Sequence, residues 1–407
     1  MIRVATFLRR CVQMSFGLCL VASVPSAQSQ TLPDVFTKRS GEKVRTAKDW
    51  YERRRPEIIN IFEREEFGKQ PATELFSFRY RTIEKDRKVL NEKAFRSQVR
   101  MSIVNKKGDS ITVDLLIYYP AVAKKSRVPV FTLLNYGNHT LVEDILVHPS
   151  ASKLYQNGEA RGSYRHRFPI ETIIGNGCAV ITSCNGDFIP DDDSLFRKAA
   201  QDFYGMAPGS TGAIAFWAWG YSRMIDFALS QSFTDATRIA VVGQSRTGKA
   251  ALWCAANDQR VNYAFVNESG NSGVKLNFHQ AAGAESIAQI NKGFPHWFSA
   301  NYKKYNGKDS VYTLPFDQHW LVACIAPRQV YVGNAKDDHW GDPPGEFIAL
   351  KEAEKVYQFL GLPTRLPAHM PGANEPTLEG YCGYHLRNGG HDLLMEDWVY
   401  FLKFIKP

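Results

Sequence analysis

Five short runs along the chain are apolar and β-branched: residues 128–134, 178–182, 239–243, 264–267 and 328–333. Runs of this length without alternation predict strands covered on both faces. Ahead of them the pattern has period two. Residues 95–104 alternate, Lys106-Lys-Gly-Asp109 turns the chain, and 111–119 alternate back, so 97–118 reads as a β-hairpin. Four stretches predict helices: 211–229, rich in aromatics, then 249–257, 275–288 and 344–360. A β-rich start followed by alternating strands and helices predicts an α/β fold with a mostly parallel sheet. Ligands of such sheets bind at the carboxyl ends of the strands.

Read in order, those ends carry chemistry. After 239–243 comes Ser245, and after 264–267 comes Glu268. Asp338 follows 328–333, and His391 stands in Asn388-Gly-Gly-His-Asp392 near the C-terminus. Ser, acid, His is the chain order of an α/β-hydrolase triad. A Ser hydroxyl attacks an ester only when a base removes its proton, and a carboxylate orients that base. His391 is the best-placed base, with His139, His296, His339 and His385 as rivals. Glu268 and Asp338 compete as the acid; Asp337 and Asp342 read as solvated loop acids. The backbone N–H of Arg246, next to the nucleophile, supplies an oxyanion donor, and its guanidinium offers a charged second one. Lys249 either reaches a substrate hydroxyl or points to solvent.

The turn at Ser245 has a competing reading. Gly243, Gly248 and Lys249 fit G-x-x-x-x-G-K, but a phosphate loop needs Ser or Thr next, and Ala250 has no oxygen for magnesium. The elbow pattern is imperfect too, because Thr247 stands where a second Gly is usual and Gly248 follows it.

The N-terminus bears on compartment. Arg3, Arg9 and Arg10 precede an apolar run and then Pro25-Ser-Ala27, the pattern of a secretory signal peptide over residues 1–27. Residues 28–407 then form a single catalytic domain, secreted or periplasmic, with no membrane span. Export disfavours a nucleotide enzyme. The net charge of +9 falls to +6 without the three leader arginines, and Lys and Arg form no nucleic-acid patch. Five Cys remain after the leader, with no zinc spacing and at most one disulfide.

Gly243-Gln-Ser-Arg-Thr-Gly-Lys249 resembles the glucuronoyl esterase elbow G-x-S-R-x-G-K. Glu268-Ser-Gly, Asn291-Lys-Gly-Phe-Pro-His-Trp-Phe298, Asp338-His-Trp-Gly-Asp-Pro343 and Gly389-Gly-His-Asp392 resemble its other segments. Together they resemble carbohydrate esterase family 15 over roughly residues 100–400, in its bacterial form. The resemblance implies an α/β-hydrolase fold and hydrolysis of the ester between 4-O-methyl-glucuronoyl groups of glucuronoxylan and lignin alcohols. It implies no metal; separately, no cofactor, no nucleic-acid or membrane partner and a monomer are expected. It matches Ser245 to the nucleophile, His391 to the base, Glu268 to the acid of fungal members and Asp338 to that of bacterial ones. Arg246 matches the oxyanion Arg, and Lys249 and Trp340 match residues that hold the uronate ring. Glu285 matches a further sugar contact, against its plain reading as an exposed helix acid; Trp340 reads equally as core. Fungal members carry Cys before the Ser and after the His, joined as a disulfide; here Gln244 and Asp392 stand there. A general acyl-xylan esterase and a non-catalytic carbohydrate-binding relative remain as alternatives.

Overall fold

A nine-stranded sheet in the order β1-β2-β3-β5-β4-β6-β7-β8-β9 organises the computed structural model, which describes residues 32–152, 158–307 and 310–405. The expected leader, 1–27, lies outside them. β1 (Phe76–Val89), β2 (Ala94–Asn105) and β3 (Ser110–Pro120) form an antiparallel meander, so the predicted hairpin is present and extended by an outer strand. β3 pairs antiparallel with β5 (Ala179–Cys184). From there the pairing is parallel through β4 (Val128–Asn135), β6 (Thr234–Gln244), β7 (Tyr263–Asn267), β8 (Gln329–Ala335) and β9 (Cys382–Arg387).

The parallel strands are apolar throughout because helices cover both faces. Ile239, Val241, Ala264, Val266, Val330 and Val332 point into one hydrophobic cluster, with Trp217 and Trp253. The intervening Ala240, Val242, Phe265 and Tyr331 point into the other, with Trp398 and Phe401. Helix Ala213–Ser230 buries nearly its whole circumference in the first cluster, which accounts for its aromatic composition. No helix of the described residues is long and apolar enough to cross a membrane.

One predicted helix is absent. Residues 275–286 are irregular, and the helix there is Ile287–Gly293. The Asp317 carboxylate accepts the backbone N–H groups of Asn277 (2.8 Å) and Phe278 (3.0 Å), competing with a helical ladder. Gly283 has φ +86°, and Ser286 with Gln289 forms the capping box that starts the real helix.

Candidate active site

β6 ends at Gln244 and helix Arg246–Asn257 begins two residues later, so Ser245 alone makes the turn. Its φ of 58° and ψ of −124° lie where L-residues are strained. Neighbours hold it there. The Ser245 N–H donates to the Asn267 carbonyl (3.0 Å), and Lys249 N–H donates to the Ser245 carbonyl (3.1 Å). The Thr247 hydroxyl accepts from Gln244 N–H (3.0 Å) and donates to the Gln244 carbonyl (2.9 Å). A Cβ on Gly243 would lie 2.1 Å from the Thr247 carbonyl oxygen, so strand and helix cross there only through glycine. This is the strand-turn-helix context of a nucleophile elbow.

Ser245 and His391 line one cavity of about 450 Å³, together with Tyr136, Tyr164, Arg167 and Arg246. His391 is half exposed on the loop after β9. Its Nδ1 lies 2.8 Å from Asp338 Oδ2 and 3.3 Å from Glu268 Oε2. Two carboxylates facing Nδ1 assign the proton to that nitrogen, which leaves Nε2 as the acceptor for a serine proton. The acids follow adjacent strands, β7 and β8, and both are buried. Burial pushes Glu268 upward, and Asp397 and Asp338 reinforce the shift, while Arg387 opposes it.

The rival histidines are engaged elsewhere or outside the cavity lining. His139 Nε2 faces the Glu159 carbonyl (2.9 Å), His296 Nε2 faces Asp191 (2.9 Å), and buried His385 faces Asp397 (2.7 Å). His339 is exposed.

The Arg246 guanidinium pairs with Asp191 and lies 4.9 Å from the Trp297 ring centre. Asp191 also accepts from Trp297 Nε1 (2.8 Å). Burial alone would raise Asp191, but His296, Arg246 and Trp297 hold it below its ordinary value. The 291–298 segment thus acts as a backing that fixes the arginine.

Lys249 does not point to solvent. It is buried, donates to the Ser269 carbonyl, and is pulled down by desolvation while Glu285 and Glu346 favour its charge. Glu285 is buried outside any helix, and desolvation raises it against the pull of Lys249 and of a hydrogen bond from Trp340. Trp340 is 48 % exposed, so it is no core residue. These three form one polar cluster with an aromatic rim. They adjoin Asp338 and His391, since Lys249 senses Asp338 and Glu285 senses His391. They are not among the residues that line the Ser245 cavity.

Sequence reasoning missed three groups. Asp191 belongs to no motif. Tyr136, Tyr164 and Arg167 lie in loops of unremarkable composition. Arg387 had a signal, a lone cation at a strand end four residues before His391.

Glu268, Asp338 and His391 place ligand atoms within 4.8 Å of one another, a spacing a divalent cation can also span. The donor set fits it poorly: Arg387 already sets a cation on Glu268 Oε1, and the Asp392 N–H occupies Oε2.

A family model described as glucuronyl esterase of fungi matches residues 164–361. Carbohydrate esterase MZ0003, from an unknown prokaryotic organism, is 37% identical over 92% of this chain and 88% of its own length. The 4-O-methyl-glucuronoyl methylesterase of Hypocrea jecorina is 27% identical over 87% of this chain and 68% of its own. Among solved structures, a glucuronoyl esterase from Solibacter usitatus superposes with a TM-score of 0.82 at 34% identity, covering 92% of this chain and 97% of that one. A CE15 esterase from a marine bacterial metagenome, described as promiscuous, gives 0.82 at 35% identity, with 92% and 96% covered. The chain therefore belongs to carbohydrate esterase family 15, the glucuronoyl esterases, and has their α/β-hydrolase fold.

Proposed function

We propose that this chain is a serine esterase that cleaves, through an acyl-enzyme, the ester between a glucuronoyl side group of glucuronoxylan and a lignin alcohol. The observation that carries this reading is the strained Ser245 sharing a cavity with His391, whose Nδ1 lies 2.8 Å from Asp338 Oδ2. Ser245 Oγ attacks the uronate C6 carbonyl as His391 Nε2 takes its proton. The Arg246 N–H and guanidinium stabilise the oxyanion. His391 then protonates the departing alcohol, and water repeats the sequence on the acyl-enzyme. Asp338 orients the imidazole, with Glu268 sharing that task. Lys249, Glu285 and Trp340 receive the sugar ring, whose apolar face suits the exposed indole. The leader-like 1–27 supports an exported enzyme, which we read as a monomer of one catalytic domain.

The test is hydrolysis of benzyl glucuronate. Ser245→Ala should abolish it, and chelators should leave the wild type unaffected. Near-wild-type turnover by Ser245→Ala, or full loss with a chelator, would overturn the mechanism. A broader acyl esterase is the second reading, supported by the 35% identical relative described as promiscuous. Equal or better kcat/KM on p-nitrophenyl acetate than on methyl glucuronate would favour it.

A further inference from the structure

Arg387 is the last residue of β9 and its side chain is 1% exposed. A guanidinium so deep is retained only where its donors are matched. Here all three nitrogens are used. Nε faces Asp397 Oδ2 at 3.1 Å, and Nη1 donates to the Asn388 carbonyl at 3.0 Å. Nη2 donates to the carbonyls of Gly390 (3.0 Å) and Asp392 (2.7 Å) and to Glu268 Oε1 (2.5 Å). The three carbonyls belong to the loop that carries His391, and two of them flank it directly. This one cation therefore sets the path of the base-bearing loop.

Glu268 continues the chain of contacts toward the nucleophile. Its Oε2 accepts from the Asp392 N–H at 2.7 Å and from Gln244 Nε2 at 3.3 Å. Gln244 immediately precedes Ser245, and Asp392 immediately follows His391. A single carboxylate oxygen thus joins the residue before the nucleophile to the residue after the base. Asp392 is fixed further by Asn267 Nδ2 on its carbonyl (3.2 Å) and by Arg167 on its carboxylate (2.6 Å). At the far end, Asp397 also accepts from the Leu394 N–H (2.7 Å) at the start of the last helix, which anchors the series in a rigid element.

We propose that Arg387 is a positioning residue for catalysis: with Glu268 it clamps the His391 loop to the Ser245 elbow and so fixes the imidazole against the nucleophile. It touches no substrate. The proposal rests on the esterase reading above. Its expected signature is a fall in kcat with KM retained, because the clamp aligns reacting groups and leaves the Lys249–Glu285–Trp340 cluster in place.

The experiment compares Arg387→Lys, Arg387→Met and Glu268→Gln. Lysine keeps the cation between Asp397 and Glu268 but cannot serve three carbonyls at once. Glutamine has one oxygen for the two sets of donors that Glu268 now satisfies. Each variant is checked for folding by circular dichroism and melting temperature, then assayed for kcat and KM on benzyl glucuronate and for the rate of Ser245 labelling by a serine-directed phosphonate. For Arg387→Lys we expect a melting temperature above that of Arg387→Met, kcat at least tenfold below wild type, KM within twofold and a parallel fall in labelling rate. A folded Arg387→Lys with kcat within twofold of wild type would overturn the proposal, as would kcat and KM changing together. If neither Arg387 variant folds, Asp397→Asn, which loosens Arg387 from the last helix and leaves both acids beside His391 unchanged, decides by the same limits. Failure of the esterase reading looks different: the phosphonate would then leave wild-type Ser245 unlabelled.

Discussion

Gly243→Ala gives the elbow its sharpest test. The added Cβ would sit 2.1 Å from the Thr247 carbonyl oxygen, 2.3 Å from its carbon and 2.6 Å from the Gly248 nitrogen, all backbone atoms. Ordinary contact begins near 3.4 Å. The strand and the elbow helix must therefore part by roughly 1 Å, carrying Ser245 between them. A displacement of that size costs about 10²-fold in rate, and the overpacking costs about 1–3 kcal/mol in stability. Gly248→Ala is the control. Its nearest contacts, Gly243 O, Asn267 O and Ser269 Cβ, lie at 3.1, 3.2 and 3.3 Å, tight but close to tolerable. An alanine inside a helix also gains about 0.5–1 kcal/mol over glycine, so the net change should stay within about 1 kcal/mol. The assay is kcat on benzyl glucuronate beside urea unfolding midpoints. Equal effects from the two variants, or Gly243→Ala within twofold of wild type, would refute the reasoning.

Glu66 is wholly buried, and desolvation pushes it up to about 8 although Gln318 and Ser272 hydrogen-bond it. A raised acid favours the fold while protonated: its contribution is complete below about 4.5 and is lost as pH climbs toward 8, at most ~5 kcal/mol. Wild type should thus lose stability relative to Glu66→Gln between pH 5 and 8.5 in urea titrations; parallel curves would contradict the assignment. Trp340→Ala should raise KM for glucuronate esters by roughly 2- to 13-fold, the equivalent of about 0.5–1.5 kcal/mol of ring contact, with kcat little changed in steady-state assays. A fall in kcat alone would move Trp340 from sugar binding to the chemistry.

The strands that lead to Ser245, Glu268 and Asp338 were legible because each is a continuous apolar run, the pattern that double coverage produces; β9, which reads Cys-Gly-Tyr-His-Leu-Arg, carries no such run and was not predicted. Ser245, Glu268 and Asp338 were legible for a related reason, since each follows such a run; His391 stood out instead by its Gly-Gly-His-Asp setting near the C-terminus. Residues 275–288 misled because their composition permits a helix, and the Asp317 carboxylate that diverts their backbone lies about 40 positions away. Side-chain environment was the least accessible feature. Lys249 and Glu285 are charged residues of the kind usually exposed, and each is buried here beside the other; Trp340, usually covered, stands open. The clamp at Arg387 was hidden because its partners come from three segments, Glu268, the 388–392 loop and Asp397, and no motif spacing links the first of them to the other two.

The cysteines have a practical consequence. All five among the described residues are reduced and buried, and desolvation holds the thiols of Cys184, Cys254, Cys324 and Cys382 above their usual range. Sulfur that neither ionises nor meets oxidant stays inert. Residues 32–405 can accordingly mature without a thiol oxidase or isomerase, and a bacterial cytosol rich in glutathione should yield the same working molecule as an oxidising compartment.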